Sequence, residues 1–211
     1  MPLDAVLCDF DGVLRFHDQH VHTRIDRTYG LAPGTVLRTA LSPALIGPAV
    51  VGEITCEEWE KALVAAFTGM LDSPERAARL VEEFVGVPAW IDERVRDLLA
   101  SAQRRVPVVL VTNATTRLEE DLDRLGLAHF ADEVVNSARV GVAKPDRRIY
   151  EIAAERAGAA PERCLFVDDR PENVTAAVTL GMTGVLFREV EDLRVALEAE
   201  GWGHRSPVSS S

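Results

Sequence analysis

Side chains that can handle a phosphate group recur along this sequence, each beside a short apolar run or a helical pattern. They are two carboxylates, a hydroxyl with a neighbouring amide, an ammonium and two further carboxylates: Asp9, Asp11, Thr112, Asn113, Lys144, Asp168 and Asp169. If the apolar runs are strands of one parallel sheet, their carboxyl ends share one edge, and ligands bind at that edge. We therefore expect these side chains to converge on a single site.

The charges of this group favour a divalent cation. Four carboxylates cannot stay fully ionised in a confined site without a counter-charge. Mg²⁺ fits, because it takes oxygen ligands and is commonly held by one or two carboxylates together with substrate phosphate. Lys144 supplies a second positive charge, and Thr112 can donate a hydrogen bond to a phosphate oxygen. The donor set indicates phosphoryl transfer.

Asp9 and Asp11 lie two residues apart, a spacing that places both side chains on the same side of an extended segment. One carboxylate can attack phosphorus while the other protonates the leaving oxygen and later activates water. The pair thus offers a nucleophile and a general acid that can later act as a base. Each acidic turn alone is compatible with a solvated loop or a helix cap, and their order at successive strand ends favours catalysis.

Alternating strands and helices are predicted to position these side chains. Short apolar runs predict five buried strands, at 5–8, 106–111, 133–135, 164–167 and 184–187. Helical spacing of apolar residues predicts helices at 92–104, 115–125, 146–157, 172–180 and 189–199. This alternation implies an α/β fold with a doubly wound parallel sheet that is covered on both faces.

Residues 15–88 interrupt the alternation. The segment shows no convincing strand, and four helical patterns at 20–29, 33–40, 55–67 and 74–84. Thr55 and Glu58 form the pattern of a capping box at the start of the third helix. The expected organisation is an α/β core of residues 1–14 and 89–205, an inserted helical cap of residues 15–88, and a flexible tail at 206–211.

Composition narrows the class of protein further. The 211 residues are 47% apolar and 27% charged, with a formal net charge of −11, which argues against a nucleic acid or a membrane surface as partner. No apolar run is as long as a membrane span, and the first residues lack a secretory pattern. Three scattered cysteines favour a reducing compartment. We expect a cytoplasmic monomer or homodimer that acts on a small phosphorylated substrate.

Four stretches resemble the haloacid dehalogenase (HAD) superfamily of hydrolases. They are Asp9-Phe10-Asp11-Gly12-Val13, Val111-Thr112-Asn113, Lys144-Pro145 and Phe166-Val167-Asp168-Asp169. The resemblance covers residues 3–187, and the inserted helices are similar to the small helical cap of one subclass. It implies a Rossmann-like core and a HAD-type phosphatase that uses Mg²⁺ and an aspartyl-phosphate intermediate.

The resemblance also implies a role for each residue. Asp9 would be the nucleophile and a metal ligand, and Asp11 would be the acid and base, with its backbone carbonyl on the metal. Thr112 and the backbone of Asn113 would hold the phosphate, and Lys144 would steady the phosphoryl charge. Asp169 would be the main further metal ligand, with Asp168 beside it or behind it. Many members instead carry Gly at position 168 and a second Asp at position 173.

Other functions are compatible with parts of the pattern. A phosphomutase of the β-phosphoglucomutase type would share the acid and the metal, whereas a dehalogenase would not need Asp11. A phosphoacceptor module of the receiver type is a candidate from a different class, but its motifs follow another order. A binding protein without activity has no support, because every expected catalytic position is filled. The candidates for substrate specificity are Arg15, His17, His20, His22, Trp59 and Arg170.

Overall fold

In the computed structural model, which describes residues 2–202, strands and helices alternate along most of the chain. The strands are β1 (Ala5–Cys8), β2 (Arg15–His17), β3 (Ala89–Ile91), β4 (Val108–Thr112), β5 (Glu133–Asn136), β6 (Cys164–Asp168) and β7 (Thr183–Leu186). The helices in the first half of the chain are α1 (Gln19–Thr28), α2 (Thr35–Ala40), α3 (Pro43–Val50), α4 (Cys56–Leu71), α5 (Pro74–Val85) and α6 (Glu93–Gln103). The later helices are α7 (Leu118–Arg124), α8 (Ser137–Val140), α9 (Arg147–Arg156), α10 (Pro171–Thr179) and α11 (Val190–Ala199).

Five strands form one sheet in the spatial order β5-β4-β1-β6-β7, and every pair of neighbours is parallel. Successive residues of β1 face opposite sides of the sheet, as a strand requires. Val6 and Cys8 pack in one apolar cluster with α6, α7 and α11, whereas Ala5 and Leu7 pack in another with α9 and α10. Helices therefore cover both faces, and the predicted doubly wound α/β fold is confirmed.

The helices α1–α5 and their connections, residues 18–88, form what we call the helical insertion. It has an apolar cluster of its own, in which Trp59, Leu63 and Phe67 of α4 are buried against the neighbouring helices. The predicted capping box is present: the Thr55 hydroxyl accepts from the Glu58 amide, and the Glu58 carboxylate accepts from the Thr55 amide. This reciprocal pair fixes where α4 begins.

Two connections between the insertion and the sheet run side by side. The strands β2 and β3 pair antiparallel, with Arg15 opposite Ile91 and His17 opposite Ala89, and we call this pair the hinge ribbon. The predicted boundaries at 14/15 and 88/89 fall at its two strands. The prediction that 15–88 contains no strand was wrong. β2 has only three residues, and it is recognisable as a strand only from its pairing with β3 at the other end of the insertion.

Several other boundaries differ from the predictions. Most differences are one or two residues, but the helix predicted at 115–125 begins at Leu118, and Thr115 does not cap it. Tertiary hydrogen bonds hold the preceding loop out of the helix: Asn136 Nδ2 donates to the Thr115 carbonyl at 3.1 Å. The helices α3 and α8 were not predicted. The predicted tail at 206–211 lies outside the described residues, and no helix among residues 2–202 could span a membrane.

Candidate active site

The carboxyl ends of the three central strands bring the first acidic residues together. Cys8 of β1 is in register with Leu110 of β4 on one side and Val167 of β6 on the other. The residues that follow, Asp9 and Asp168, therefore lie next to each other at the same edge of the sheet. The backbone confirms this, because the Asp9 amide donates to the Val167 carbonyl at 2.8 Å.

Lys144 joins these two carboxylates. Its Nζ atom lies 2.7 Å from Asp9 Oδ1 and 2.7 Å from Asp168 Oδ2, and all three side chains are buried. Burial would lower the pKa of Lys144, but the two carboxylates raise it above its ordinary value. Burial raises the pKa of Asp9 to about 7, with Asp168 acting in the same direction and Lys144 opposing both. The three groups carry more negative than positive charge.

Asp168 is held from several sides. Besides Lys144, its oxygens accept from Asn173 Nδ2 at 3.0 Å each and from the Arg170 amide at 2.8 Å. These donors occupy both oxygens, so the geometry suits a carboxylate that orients Lys144. Asp169 differs, because its residue is exposed and its carboxylate lies directly over the backbone of Gly12. Desolvation, followed by the charge of Asp168, raises the pKa of Asp169.

The donor set fits a hard divalent cation. Asp9, Asp168 and Asp169 each offer a carboxylate oxygen, and these oxygens lie within 4.8 Å of one another. Oδ1 of Asp9 accepts from Lys144 and from the Phe10 amide at 2.7 Å, which leaves Oδ2 without a hydrogen bond among the described residues. Burial, together with the charge of Asp168, raises the pKa of both Asp9 and Asp169, and a bound Mg²⁺ would favour their ionised forms. Asp9 and Asp169 have the more available oxygens, since Asp168 already has its donors.

Thr112 ends β4 next to this group, and Asn113 follows it. Thr112 is buried at the last position of the strand. The Asn113 side chain makes two hydrogen bonds with the backbone of Lys144: Nδ2 donates to its carbonyl at 2.9 Å, and Oδ1 accepts from its amide at 2.8 Å. These bonds explain how a loop residue sets the position of Lys144. The amide side chain of Asn113 thus has a structural task that its sequence position did not reveal.

Asp11 contacts a second group of charged side chains. Arg15 donates to both of its oxygens, at 2.7 and 2.8 Å, and its remaining terminal nitrogen donates to Asp121 at 2.9 Å. The His17 Nε2 atom lies 3.7 Å from Asp11 Oδ1. Desolvation would raise the pKa of Asp11, but the contacts with His17 and Arg15 outweigh it and lower the pKa to about 2. Asp11 is thus held as a carboxylate, the form that a general base needs.

The candidate specificity residues separate into two groups. Arg15 and His17 reach Asp11, as just described. His22 and Trp59 are buried inside the helical insertion, where both pack against the ring of Phe84.

The other two candidates lie on the surface. His20 is exposed, and the largely exposed side chain of Arg170 pairs with Glu172 at 2.9 Å.

Among the residues that sequence reasoning missed is Asp121. The signal for it is weak, because it is one of three acidic residues in the first turn of α7.

Comparisons with known proteins agree with this geometry. Residues 3–181 match the family described as haloacid dehalogenase-like hydrolase. A glyceraldehyde 3-phosphate phosphatase of Methanothermobacter thermautotrophicus is 42% identical over 79 residues, which are 37% of this chain and 35% of that protein. A phosphoserine phosphatase of Thermus thermophilus is 36% identical over 120 residues, which are 54% of this chain and 47% of that protein. The matches thus span less than half the length of either relative.

A HAD-family enzyme of Bacteroides thetaiotaomicron, crystallised as a magnesium complex, has the same fold. The two structures superpose with a TM-score of 0.67 at 19% identity, over 87% of this chain and 92% of the other. The family match covers most of the 211 residues, and the resemblance predicted from the four motifs is confirmed. The chain belongs to the haloacid dehalogenase-like hydrolase family.

Proposed function

We propose that this protein is a Mg²⁺-dependent phosphohydrolase that acts on a small phosphorylated metabolite through an aspartyl-phosphate intermediate. The observation that carries the proposal is the state of Asp9: one oxygen is held by Lys144 at 2.7 Å, and the other is available beside Asp169. The two relatives named as phosphatases of phosphorylated metabolites support the same reaction class. Asp9 combines the two properties that a nucleophile needs, a fixed orientation and an available lone pair.

In the first step, Asp9 Oδ2 attacks phosphorus, and the bond between phosphorus and the ester oxygen breaks. The leaving oxygen takes a proton from the carboxyl group of Asp11, which becomes a carboxylate. Lys144 stays 2.7 Å from Asp9 and offsets the charge that accumulates on the phosphoryl oxygens. The buried Thr112 hydroxyl and the backbone amide of Asn113 are the proposed donors to those oxygens.

In the second step, a water molecule attacks the phosphorus of the aspartyl phosphate and gives its proton to Asp11. The bond between phosphorus and Asp9 breaks, which releases phosphate and restores both carboxyl groups. Arg15 holds Asp11 as a carboxylate, which suits this step. The acid role in the first step requires that Asp11 leave Arg15 and gain a proton.

The proposed metal ligands are Asp9 and Asp169, with the backbone carbonyl of Asp11, and Asp168 behind them. A Mg²⁺ ion bound there would neutralise phosphate charge and leave the nucleophile in its ionised form. We further propose that residues 15–88 act as a cap over a core of residues 1–14 and 89–205. The separate apolar cluster of the helical insertion and the hinge ribbon support this division.

The test is the replacement Asp9→Asn, measured as phosphate release from acetyl phosphate with and without Mg²⁺. We expect activity to fall by about a thousandfold or more, because the amide is not a nucleophile. Asp97→Asn, the same change at an exposed position of α6, is the matched control and should keep full activity. Borohydride reduction during turnover, followed by mass spectrometry, should convert Asp9 to homoserine. Activity that survives Asp9→Asn would overturn the proposal.

A phosphomutase would share this first step, so isomerisation must be tested directly. Incubation with a hexose phosphate and a catalytic amount of the bisphosphate should give phosphate and no isomer. Formation of the isomer faster than phosphate release would assign the chain to the mutase reaction instead. A receiver-type module is disfavoured by the family match, and it would show a single phosphorylation without turnover.

A further inference from the structure

A cavity of about 170 Å³ lies between the helical insertion and the edge of the sheet. Asp11 and Asn113 line it on the sheet side, and Leu41, Ile46 and Val50 line it on the side of the insertion. Because Asp11 is the proposed proton donor to the leaving oxygen, the alcohol part of a substrate would occupy this cavity. Its lining therefore selects among phosphate esters.

The charged side chains that line the cavity form ion pairs with one another. They are two carboxylates, Asp11 and Asp121, and one guanidinium, Arg15, with a net charge of −1 when all are ionised. Every terminal nitrogen of Arg15 donates to one of these carboxylates, at distances of 2.8 and 2.9 Å. When Asp11 leaves Arg15 for the acid step, Asp121 stays paired with the guanidinium and offsets its charge. A substrate carboxylate would therefore gain little from Arg15 and would be repelled by Asp121.

The cations next to the cavity are also paired. Arg117, just before α7, forms a short ion pair with Glu60 of α4. Arg139 of α8 pairs with Glu119 at 2.9 Å. Within the described part of the chain, the arginines near the cavity therefore offer no free partner to an anionic leaving group.

The remaining side chains of the lining are mostly apolar, with Asn113 and Thr115 as the polar exceptions. Leu41 is 56% exposed, and it forms one wall with Ile46, Val50 and Leu118. Contact with a substrate would cover this apolar surface. An apolar cavity of about 150 Å³ accommodates benzene, so this one has room for about six non-hydrogen atoms.

We propose that the natural substrate is a phosphate monoester of a compact, uncharged alcohol with an apolar side and about six non-hydrogen atoms. This inference rests on the proposed phosphatase function. It distinguishes the chain from enzymes whose substrates carry a carboxylate, such as phosphoserine. The charge preference arises from Asp121, which offsets the charge of Arg15, and the shape preference arises from the apolar wall around Leu41.

Three esters of matched shape test the charge preference: 3-methylbutyl phosphate, 3-phosphooxypropanamide and 3-phosphooxypropanoate. Their leaving groups differ in polarity and charge and hardly in size. We expect kcat/KM to be highest for the 3-methylbutyl ester and at least about tenfold higher for the amide than for the carboxylate. Equal or faster hydrolysis of the carboxylate would overturn the inference.

The variant Asp121→Asn tests the origin of that preference. It removes one negative charge and frees a nitrogen of Arg15, so the ratio of amide to carboxylate kcat/KM should fall by about threefold or more. Asp123→Asn makes the same change two residues along α7 at an exposed position and should leave the ratio unchanged. Equal ratios in the two variants would show that Arg15 and Asp121 do not set the charge preference.

The variant Leu41→Ala tests the apolar wall. It should lower kcat/KM for the 3-methylbutyl ester by about tenfold, a larger factor than for acetyl phosphate, whose smaller leaving group makes less contact with the wall. Val195→Ala, at a position of α11 that is also 56% exposed, is the control and should change neither rate.

If acetyl phosphate is hydrolysed in an Asp9-dependent way but none of the three esters is, this inference fails and the phosphatase function stands. If acetyl phosphate is not hydrolysed, the function itself fails.

Discussion

Lys144 is the residue around which the charges of the site are arranged. Its ammonium lies between two buried carboxylates, and its backbone is fixed by the side chain of Asn113. Burying such a group is costly unless its partners are in place, so a buried ion pair is weak evidence for stability. We interpret the arrangement as one that fixes the orientation of Asp9. Asp168 holds Lys144 in place, and Asn173 in turn donates to Asp168.

The cysteines give a prediction at the same scale. Burial, followed by the charges of Asp4 and Glu162, raises the pKa of Cys164 to about 11, and burial also raises the pKa of Cys8 and Cys56. A raised pKa lowers the thiolate fraction at a given pH, and the thiolate is the reactive form. Alkylation by iodoacetamide should therefore be slow near pH 8 and accelerate as the pH rises toward 11.

The rate is measured by mass spectrometry of the native protein at a series of pH values. The same chain in concentrated urea is the reference, because its exposed thiols titrate near pH 8.5 and should label quickly at pH 8. Rapid labelling of the native protein at pH 8 would contradict the burial of these thiols.

At the scale of elements, the sequence predicted the strands and helices whose own residues carry the signal. It missed those that depend on a partner far away in the chain. The strand β1 and the other central strands are apolar on both faces, and such runs are visible without any partner. The turn residues Asp9 and Asp169 follow from them. The hinge ribbon pairs two three-residue strands that are far apart in the chain: Phe16 and Trp90, for example, are 74 positions apart. No local pattern reveals that pairing.

Two missed features have different causes. The helix α3 starts with Ser42-Pro43, a recognisable beginning, but Gly47 and Pro48 in its interior disguise it. The contact between Arg15 and Asp121 depends on where the hinge ribbon places an arginine relative to α7, which only the assembled fold determines. The motifs therefore predicted the phosphate side of the site, and the side that receives the alcohol came from the structure.

The turn after β1 carries a prediction about Gly12. Its φ of 87° is unfavourable for other residues, and a Cβ atom there would overlap Oδ2 of Asp169. Gly12→Ala should cost about 1–2 kcal/mol of stability and, by displacing Asp169, lower kcat by about a hundredfold. Urea unfolding and phosphate release measure the two effects.

Gly126→Ala is the matched control, because that glycine has a φ of 70° and open space around the position of a Cβ atom. It should show the loss of stability with unchanged kcat. Equal activities of the two variants would mean that the position of Asp169 does not matter for the reaction.

At the scale of the whole molecule, the helical insertion is attached to the sheet at a second place besides the hinge ribbon. The Cys56 amide at the start of α4 donates to the Thr116 hydroxyl at 3.0 Å, and Glu60 pairs with Arg117. Nearby, the backbone of Gly52 lies against the carbonyl of Ala138. These contacts join the insertion to the segments that follow β4 and β5.

Gly52→Ala should disturb this contact, since a Cβ atom would overlap the Ala138 carbonyl. We expect a loss of about 1–3 kcal/mol beyond the backbone cost, a higher KM, and faster hydrogen exchange at residues 52–56. Gly30→Ala has the same φ of 74° with nothing near the added carbon, and it reports the backbone cost alone. Indistinguishable exchange in the two variants would argue against docking at Gly52.

The hinge ribbon also gives the molecule a mechanical property. The two chain crossings between the sheet and the insertion are hydrogen-bonded to each other, so they would move as one unit. Arg15 belongs to this ribbon, and Asp11 lies four residues before it in the turn after β1. A shift of the ribbon relative to that turn would separate the guanidinium from the carboxylate, which is the change that the proposed acid step requires.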